Sequence, residues 1–197
     1  MICNPILYRY LSATTSSLAT LPLDIAQTKI LSTTSTNINI HEIQFILLAP
    51  LIFTSQNLIY TELSNVKNIL LRGALAGFLS SPIYSFIEIR KIHTRLNILP
   101  YRNTCIKIFL LRQTIFYAIL YKITSLNIRY SIFLSALIAN TIGYPIKLLA
   151  LASSYSVFKI NKNTVRLTGL IEIIKASISD GLSIYFMYVP SFSPFNL

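Results

Sequence analysis

Two basic residues lie well inside apolar stretches of the chain, where a charged side chain is energetically costly. Arg112 lies about nine residues into the stretch 104–124, and Lys175 lies in the stretch 167–190. A charged side chain near the bilayer centre costs at least ~2.5–3.5 kcal/mol on insertion scales, so it normally faces a protein interior. In a pocket of low dielectric constant, two cations attract a carboxylate or a phosphate strongly. The two residues therefore predict an anion-binding site near the middle of a membrane.

A structural role for the same two cations is the alternative. Each side chain could extend so that its charged end reaches the membrane surface while its aliphatic part stays in the apolar region. Each could instead form an ion pair with Glu172 or Asp180. Asp180 also lies within the stretch 167–190, so it could neutralise one of the cations.

Other kinds of chemistry have little support in the sequence. We find no nucleophile beside a base, no metal-ligand cluster and no glycine-rich loop that could hold a phosphate. The two cysteines, Cys3 and Cys105, have no histidine or cysteine neighbour at ligand spacing. We therefore expect no enzymatic activity, no cofactor and no metal site.

The composition points to a membrane protein. Of 197 residues, 53% are hydrophobic and 12% are charged, and the mean hydropathy is +0.61. Soluble domains carry about 25% charged residues, and a membrane span needs ~20 largely apolar residues. Six stretches meet that length: 5–33, 43–61, 68–91, 104–124, 129–156 and 167–190. We predict an all-α membrane protein with six transmembrane helices, and a large apolar soluble domain is the alternative.

The basic residues are divided unevenly between the two sides of the predicted spans. The net charge is +11. Nine basic residues flank the loops after the first, third and fifth spans, and five flank the opposite side. The positive-inside rule places the odd-numbered loops on the inner side and both termini on the outer side. The loops lack interleaved aromatic residues, so we expect no nucleic-acid partner. No removable signal peptide is predicted.

Three prolines indicate an internal repeat. Pro22, Pro82 and Pro145 each lie late in an odd-numbered span, 60 and 63 residues apart, and Arg112 and Lys175 are also 63 residues apart. Proline removes a backbone donor and bends a helix, so we predict a kink at each of the three. A fixed period of this kind is typical of repeat architectures.

The repeat divides the chain into three two-helix units within one domain, 1–197. The repeats cover approximately 1–65, 66–127 and 128–190, and a proline-rich tail follows at 191–197.

The first of these prolines begins a recognisable motif. Pro22, Asp24, Gln27 and Lys29 follow the spacing Pro-x-Asp/Glu-x-x-Lys/Arg-x-Lys/Arg, with Gln27 in place of the first base. The motif resembles the signature of the mitochondrial carrier family. The resemblance implies three two-helix repeats around a pseudo-threefold axis. It also implies solute transport by alternating access across the inner membrane of a mitochondrion or a related organelle.

The same resemblance implies two gates built from ion pairs. In the family, the acids and bases of the three signatures close the matrix side. The acid positions here hold Asp24, Tyr84 and Lys147, and the base positions hold Gln27, Ile87 and Ala150. We therefore expect at most one inner pair, Asp24 with Lys147. On the outer side the nearest equivalents are Glu62 and Lys122, which could pair across spans two and four.

The resemblance finally implies where a solute would bind. In the family, the even-numbered helices carry three contact positions. Arg112 with Gln113 resembles the fourth-helix contact of carboxylate carriers, and Lys175 resembles a basic contact on the sixth helix. Ile52 or Phe53 occupies the second-helix position and adds apolar lining.

The implied function is transport of a small anionic metabolite, with a carboxylate or keto acid ahead of a nucleotide or phosphate. The alternative is a structural or pore-forming membrane protein that is derived from a carrier and lacks substrate-coupled gating. The expected surroundings are a lipid bilayer and a small anionic solute, and we expect a monomer.

Overall fold

The fold consists of α-helices. A computed structural model describes residues 5–32, 42–100, 104–126, 131–158 and 160–188, and these residues contain no β-strand. Its helices are α1 (Pro5–Leu31), α2 (Glu42–Glu62), α3 (Ile69–Leu96), α4 (Thr104–Thr124), α5 (Ser131–Ser154) and α6 (Lys162–Tyr188). A short 3₁₀ helix, Leu63–Asn65, follows α2. The prediction of an all-α fold with six long helices is confirmed.

Polar caps explain where two helix boundaries differ from the prediction. The predicted sixth span starts at residue 167, but α6 begins at Lys162 because the Asn161 side chain accepts from the amides of Asn163 and Thr164, at 3.0 and 2.9 Å. An N-cap of this kind satisfies amides that lack a helical partner. The third span, predicted to end at residue 91, continues in α3 to Leu96. Asn97 then ends the helix in the left-handed conformation, with φ 53°.

Three of the helices have the length and composition of membrane spans. They are Ile69–Leu96, Thr104–Thr124 and Phe133–Ser154, within α3, α4 and α5. The chain therefore has helices that are apolar enough for a membrane protein.

The six helices form a closed ring. Each helix packs against the helix before it and the helix after it in the chain, and α6 packs against α1. No other pair of helices in the described residues packs extensively. Side chains that face inward from all six helices therefore surround one central axis.

Close backbone packing joins α3 to α4. A Cβ atom added at Gly73 would lie 2.6 Å from the carbonyl oxygen of Tyr117, and one added at Gly77 would meet the carbonyl of Gln113. The Gly-x-x-x-Gly face of α3 therefore packs closely on α4, as small residues at this spacing allow. This contact fixes the part of α4 that carries Arg112 and Gln113.

The three repeat prolines lie inside α1, α3 and α5, and each helix continues beyond its proline. Pro82 lacks the amide hydrogen that would bond the carbonyl oxygen of Phe78. The Ser81 hydroxyl donates to that oxygen instead, at 2.7 Å. A serine can satisfy the backbone group that a proline frees inside a helix. The kinks at Pro22, Pro82 and Pro145 stay predictions.

Candidate functional site: a central cavity with an ionic cluster

A cavity of about 490 Å³ lies at the centre of the helix ring. We call it the central cavity, and every helix contributes residues to its wall. One lining residue from each of α1 to α6, in that order, is Ser16, Gln56, Tyr84, Arg112, Asn140 and Lys175. The volume is that of a small-molecule site.

Seven charged side chains from α1, α3, α5 and α6 form what we call the ionic cluster. Its members are Asp24, Glu88, Lys91, Arg95, Lys147, Glu172 and Lys175, and all seven line the central cavity. Each of these side chains is at most 17% exposed. Buried charges are normally paired with charges of opposite sign. Where the two partners lie on different helices, the ion pair joins those helices.

Asp24 on α1 is the centre of this cluster. Its carboxylate oxygens lie 2.8 Å from Lys175 Nζ, 3.0 Å from Lys91 Nζ and 3.0 Å from Arg95 Nη1. Arg95 also donates to the Thr28 hydroxyl at 2.8 Å. One carboxylate thus joins α1 to both α3 and α6.

The other two carboxylates complete the pairing. Glu88 lies 3.1 Å from Lys91 Nζ and 3.8 Å from Lys147 Nζ, which joins α3 to α5. Glu172 lies 3.2 Å from Lys175 Nζ within α6.

Gln27 adds a neutral contact between α1 and α6. Its amide donates to Glu172 at 3.0 Å and to the carbonyl oxygen of Thr168 at 3.2 Å, and it accepts from Lys175 at 3.3 Å. This glutamine occupies a position where the carrier signature has a base. In the structure it bridges the two helices by hydrogen bonds rather than by an ion pair.

Apolar side chains fill the ring beyond the ionic cluster. A second cavity of only about 30 Å³ lies between the charged residues and Leu31, Ile92, Leu151 and Phe158. Ser32 forms an isolated backbone bridge with Phe158, which joins the segments after α1 and α5. The ionic and apolar layers together close this end of the ring.

Burial at this apolar end is nearly complete. Tyr155 is 1% exposed and packs edge-on against Phe158, with ring centroids 5.6 Å apart.

Arg112 on α4 lies apart from the ion pairs. It is 5% exposed, and its guanidinium lies 5.0 Å from the ring centroid of Tyr84 and 5.3 Å from that of Phe116. One Nη donates to the Gln113 side-chain oxygen at 3.0 Å, and Nε has no hydrogen-bond partner. Within the described part of the chain, no carboxylate lies within ion-pair distance of Arg112. It is a buried cation with unused donor capacity in the wall of a cavity.

The half of the cavity away from the ionic cluster is neutral and polar. The Tyr121 hydroxyl donates to Asn57 at 3.0 Å and contacts the Gln56 amide, and its ring stacks on Tyr60. On α4, the lining residues from Phe116 to Thr124 carry no charge. As far as the described residues line it, the central cavity therefore has one charged half and one uncharged half.

The structure brings most of the predicted binding residues to this cavity. Arg112, Gln113, Lys175 and Ile52 all line it. The side chains of Phe53 and Asp180 lie outside the described residues. Lys175, however, is paired with two carboxylates, which agrees with the structural role weighed as its alternative. Binding by these residues stays a prediction.

The inner ion pair that the signature positions allow, Asp24 with Lys147, is not among the ion pairs of the described residues. Lys147 pairs with Glu88, and Asp24 pairs with Lys91, Arg95 and Lys175. The reason is that α3 presents Glu88, Lys91 and Arg95 at the level of Asp24, so nearer partners are available to both residues.

The predicted outer pair is also absent. Glu62 is the last residue of α2 and Lys122 lies in the last turn of α4, and both are exposed. Among the described residues neither forms an ion pair, because water can solvate each charge separately. Lys29 is exposed as well and takes no part in the ionic cluster.

The sequence analysis missed Glu88, Lys91 and Arg95 as members of one site. These residues have the spacing i, i+3, i+7, which places them on one face of a helix. The pattern was visible, but the predicted end of the third span at residue 91 assigned the bases to a loop. Glu172 and Lys175, at i and i+3 on α6, carry the same signal.

Comparisons of the chain with protein-family models, with curated proteins and with solved structures find no match. The resemblance to carriers therefore depends on the first-repeat motif and the repeated prolines alone.

Proposed function

We propose that this protein carries a small anionic metabolite across a membrane by alternating access, as a divergent relative of the mitochondrial carriers. The observation that carries the proposal is Arg112, a buried cation in the wall of the central cavity for which the described residues supply no carboxylate partner. A buried charge without a counter-ion is costly, so a cation at this position favours a role in binding an anion.

A membrane location for all six helices has support beyond the three apolar spans. Large apolar side chains are also exposed on α1, α2 and α6, while polar residues face the cavity. Examples are Leu11 and Leu18 on α1, Leu47 and Leu58 on α2, and Leu170 and Ile174 on α6. An apolar belt on every helix favours a ring surrounded by lipid. The proposed inner membrane of a mitochondrion, with both termini outside, follows from the carrier-like motif and the charge bias of the loops.

Arg112 can bind a carboxylate or a phosphate, and we put a carboxylate first because the pair Arg112-Gln113 resembles the fourth-helix contact of carboxylate carriers. A guanidinium can bind the two oxygens of a carboxylate through parallel hydrogen bonds. Gln113 holds one side of the guanidinium, and the rings of Tyr84 and Phe116 pack on it, so its orientation is set before a ligand arrives. Preorganised groups of this kind lose less entropy on binding.

Alternating access requires the closed end of the ring to open. In the proposed cycle, the ionic cluster and the apolar layer beyond it form the closed barrier. Opening them would separate α1 from α3 and α6, because Asp24 pairs with bases on both.

The second candidate is a pore or structural protein derived from a carrier. In this conformation the ionic cluster is formed at one end of the ring, and Glu62 and Lys122 are exposed and unpaired among the described residues. An alternating-access carrier closed at one end has its other end open, so this arrangement fits either candidate and the two are separated by flux.

Reconstitution into liposomes tests the proposal. Arg112→Gln removes the cation, and Arg72→Gln is a matched control, because Arg72 on α3 bonds the Tyr60 carbonyl at 2.7 Å outside the cavity. A charge-assisted hydrogen bond contributes ~1.5–3 kcal/mol, so we expect Arg112→Gln to lower saturable uptake of labelled succinate by roughly tenfold to a hundredfold. Arg72→Gln should retain uptake.

Two results would refute the carrier, and a third would refute only the assigned binding residue. Unselective leak of anions and neutral solutes supports a pore. The absence of any flux in correctly inserted protein supports a structural role. Equal uptake by both variants removes Arg112 from the binding site.

A further inference from the structure

We infer that Tyr84 on α3 determines whether the charge of Arg112 is available to a solute. The inference deepens the proposed transport function and depends on it. The guanidinium of Arg112 lies 5.0 Å from the centre of the Tyr84 ring, and both residues line the central cavity. An aromatic ring attracts a cation through its face but carries no net charge, so it holds the guanidinium without neutralising it.

The equivalent residue of the first repeat is an acid. Tyr84 lies 60 residues after Asp24, the same interval that separates Pro82 from Pro22. Asp24 is the centre of the ionic cluster, where its carboxylate is paired with bases of two other helices. The second repeat therefore has an uncharged ring at the position from which the first repeat neutralises cations.

An acid at residue 84 would reach Arg112. The carboxylate of a glutamate lies about as far from its own Cα atom as the centre of a tyrosine ring, so it would occupy the region that the Tyr84 ring fills. Arginine and a carboxylate form strong pairs through two parallel hydrogen bonds. Such a pair would join α3 to α4 and would consume the charge on which binding of an anion depends.

The acid that α3 does carry lies one turn away from this position. Glu88 follows Tyr84 by four residues, so it lies on the same face of α3, about 5.4 Å further along the helix axis. There it pairs with two lysines of the ionic cluster. Phe109 on α4 is fully buried and packs edge-on against the Tyr84 ring, with centroids 5.6 Å apart, which fixes the ring beside Arg112. The binding cation and the paired carboxylate of α3 are therefore kept at separate turns.

Three substitutions of Tyr84 test the inference through uptake of labelled succinate into liposomes containing the full chain. Tyr84→Phe keeps the ring, Tyr84→Gln removes it without adding a charge, and Tyr84→Glu adds a carboxylate on a side chain of nearly the same shape as glutamine. We expect uptake to fall in that order, with Tyr84→Glu below Tyr84→Gln by about tenfold or more, as for the loss of a charge-assisted hydrogen bond. The loss should be a rise in KM at equal amounts of inserted protein, because binding is weakened. Arg72→Gln should keep the wild-type KM.

Thermal unfolding in detergent tests the geometry independently of transport. A carboxylate at residue 84 that pairs with Arg112 gives a buried cation a counter-ion. Tyr84→Glu should therefore unfold at a Tm about 2 °C or more above that of Tyr84→Gln. The difference should disappear when both proteins also carry Arg112→Gln, because the added carboxylate then lacks this partner.

The uptake results separate the inference from the proposed function. Saturable uptake by the wild type, with Tyr84→Glu equal to Tyr84→Gln, overturns the inference and leaves the carrier. No saturable uptake by the wild type overturns both. Uptake that falls as far in Tyr84→Phe as in Tyr84→Glu means that the hydroxyl group is required, and it overturns the inference.

The unfolding measurements have two refuting results of their own. A Tm of Tyr84→Glu no higher than that of Tyr84→Gln means that the carboxylate does not pair with Arg112, or that another acid, such as Asp180, already neutralises this arginine. A higher Tm that persists with Arg112→Gln means that the carboxylate pairs with a different base. Either result overturns the inference.

Discussion

Replacing Asp24 by asparagine should destabilise the protein more than any other single loss of a carboxylate. Asparagine keeps the size of the side chain but removes its charge. The carboxylate contacts Lys91, Arg95 and Lys175, and it is the group that joins α1 to both α3 and α6. The substitution therefore leaves three buried cations with fewer counter-ions.

The size of the effect follows from what each cation retains. Removing one partner of a buried ion pair costs ~3–5 kcal/mol. Lys91 keeps Glu88 and Lys175 keeps Glu172, so their loss is partial. Arg95, 2% exposed, keeps its bond to the Thr28 hydroxyl. These remaining contacts place the expected cost near the lower end, at about 3 kcal/mol.

Thermal unfolding of the purified protein in detergent measures this cost. For 150–250 residues, 1 kcal/mol shifts Tm by about 2–4 °C, so Asp24→Asn should lower Tm by roughly 6–12 °C. Glu62→Gln is the matched control, because it also removes one carboxylate charge but at an exposed position without an ion pair. Its effect should stay within about 0.5 kcal/mol. Equal shifts for the two variants would mean that the charges around Asp24 are solvated, and would refute the reasoning.

Two further predictions concern the backbone of α3. Gly77→Ala should lower Tm clearly, because its Cβ would collide with a backbone carbonyl of α4, whereas Gly169→Ala, whose Cβ would lie 3.7 Å from a tyrosine ring, should change Tm little. Comparable Tm values for these two alanine variants would argue against the close α3–α4 contact. Ser81→Ala should cost about 1–3 kcal/mol, the range for an unsatisfied buried polar group, because it leaves the Phe78 carbonyl without a donor. Ser80→Ala, in the preceding position, is its control, and unfolding of the two variants at the same denaturant concentration would contradict the proposed role of Ser81.

The helices could be predicted from the sequence because apolar stretches of membrane length are a strong, local signal. The predicted fourth span, 104–124, agrees with α4 at both ends. The errors at α3 and α6 arose where a single asparagine decides the boundary. Asn97 ends one helix through its left-handed backbone, and Asn161 begins another through its side chain. Hydropathy averages over many residues and therefore does not register either effect.

The candidate site was predictable in part. A charged side chain inside an apolar stretch is expected to face the protein interior, and this is why Arg112 was predicted to lie there. In the structure Arg112 lines the central cavity. The pairing of Asp24 was not predictable from the signature positions. It depends on which side chains of α3 and α6 reach the same level as α1, and that is a property of helix packing across the ring. Lys147, which was assigned to Asp24, instead pairs with Glu88.

The glycine contact between α3 and α4 has a mechanical consequence. Where two backbones touch through Gly73 and Gly77, sliding or tilting one helix against the other would drive main-chain atoms into each other. These two helices must then travel as one rigid body in any large rearrangement. Of the two interfaces that flank this pair, α2–α3 is much less extensive than α4–α5, so a hinge is better placed between α2 and α3. There, longer side chains can change rotamer and take up the movement without strain in the main chain.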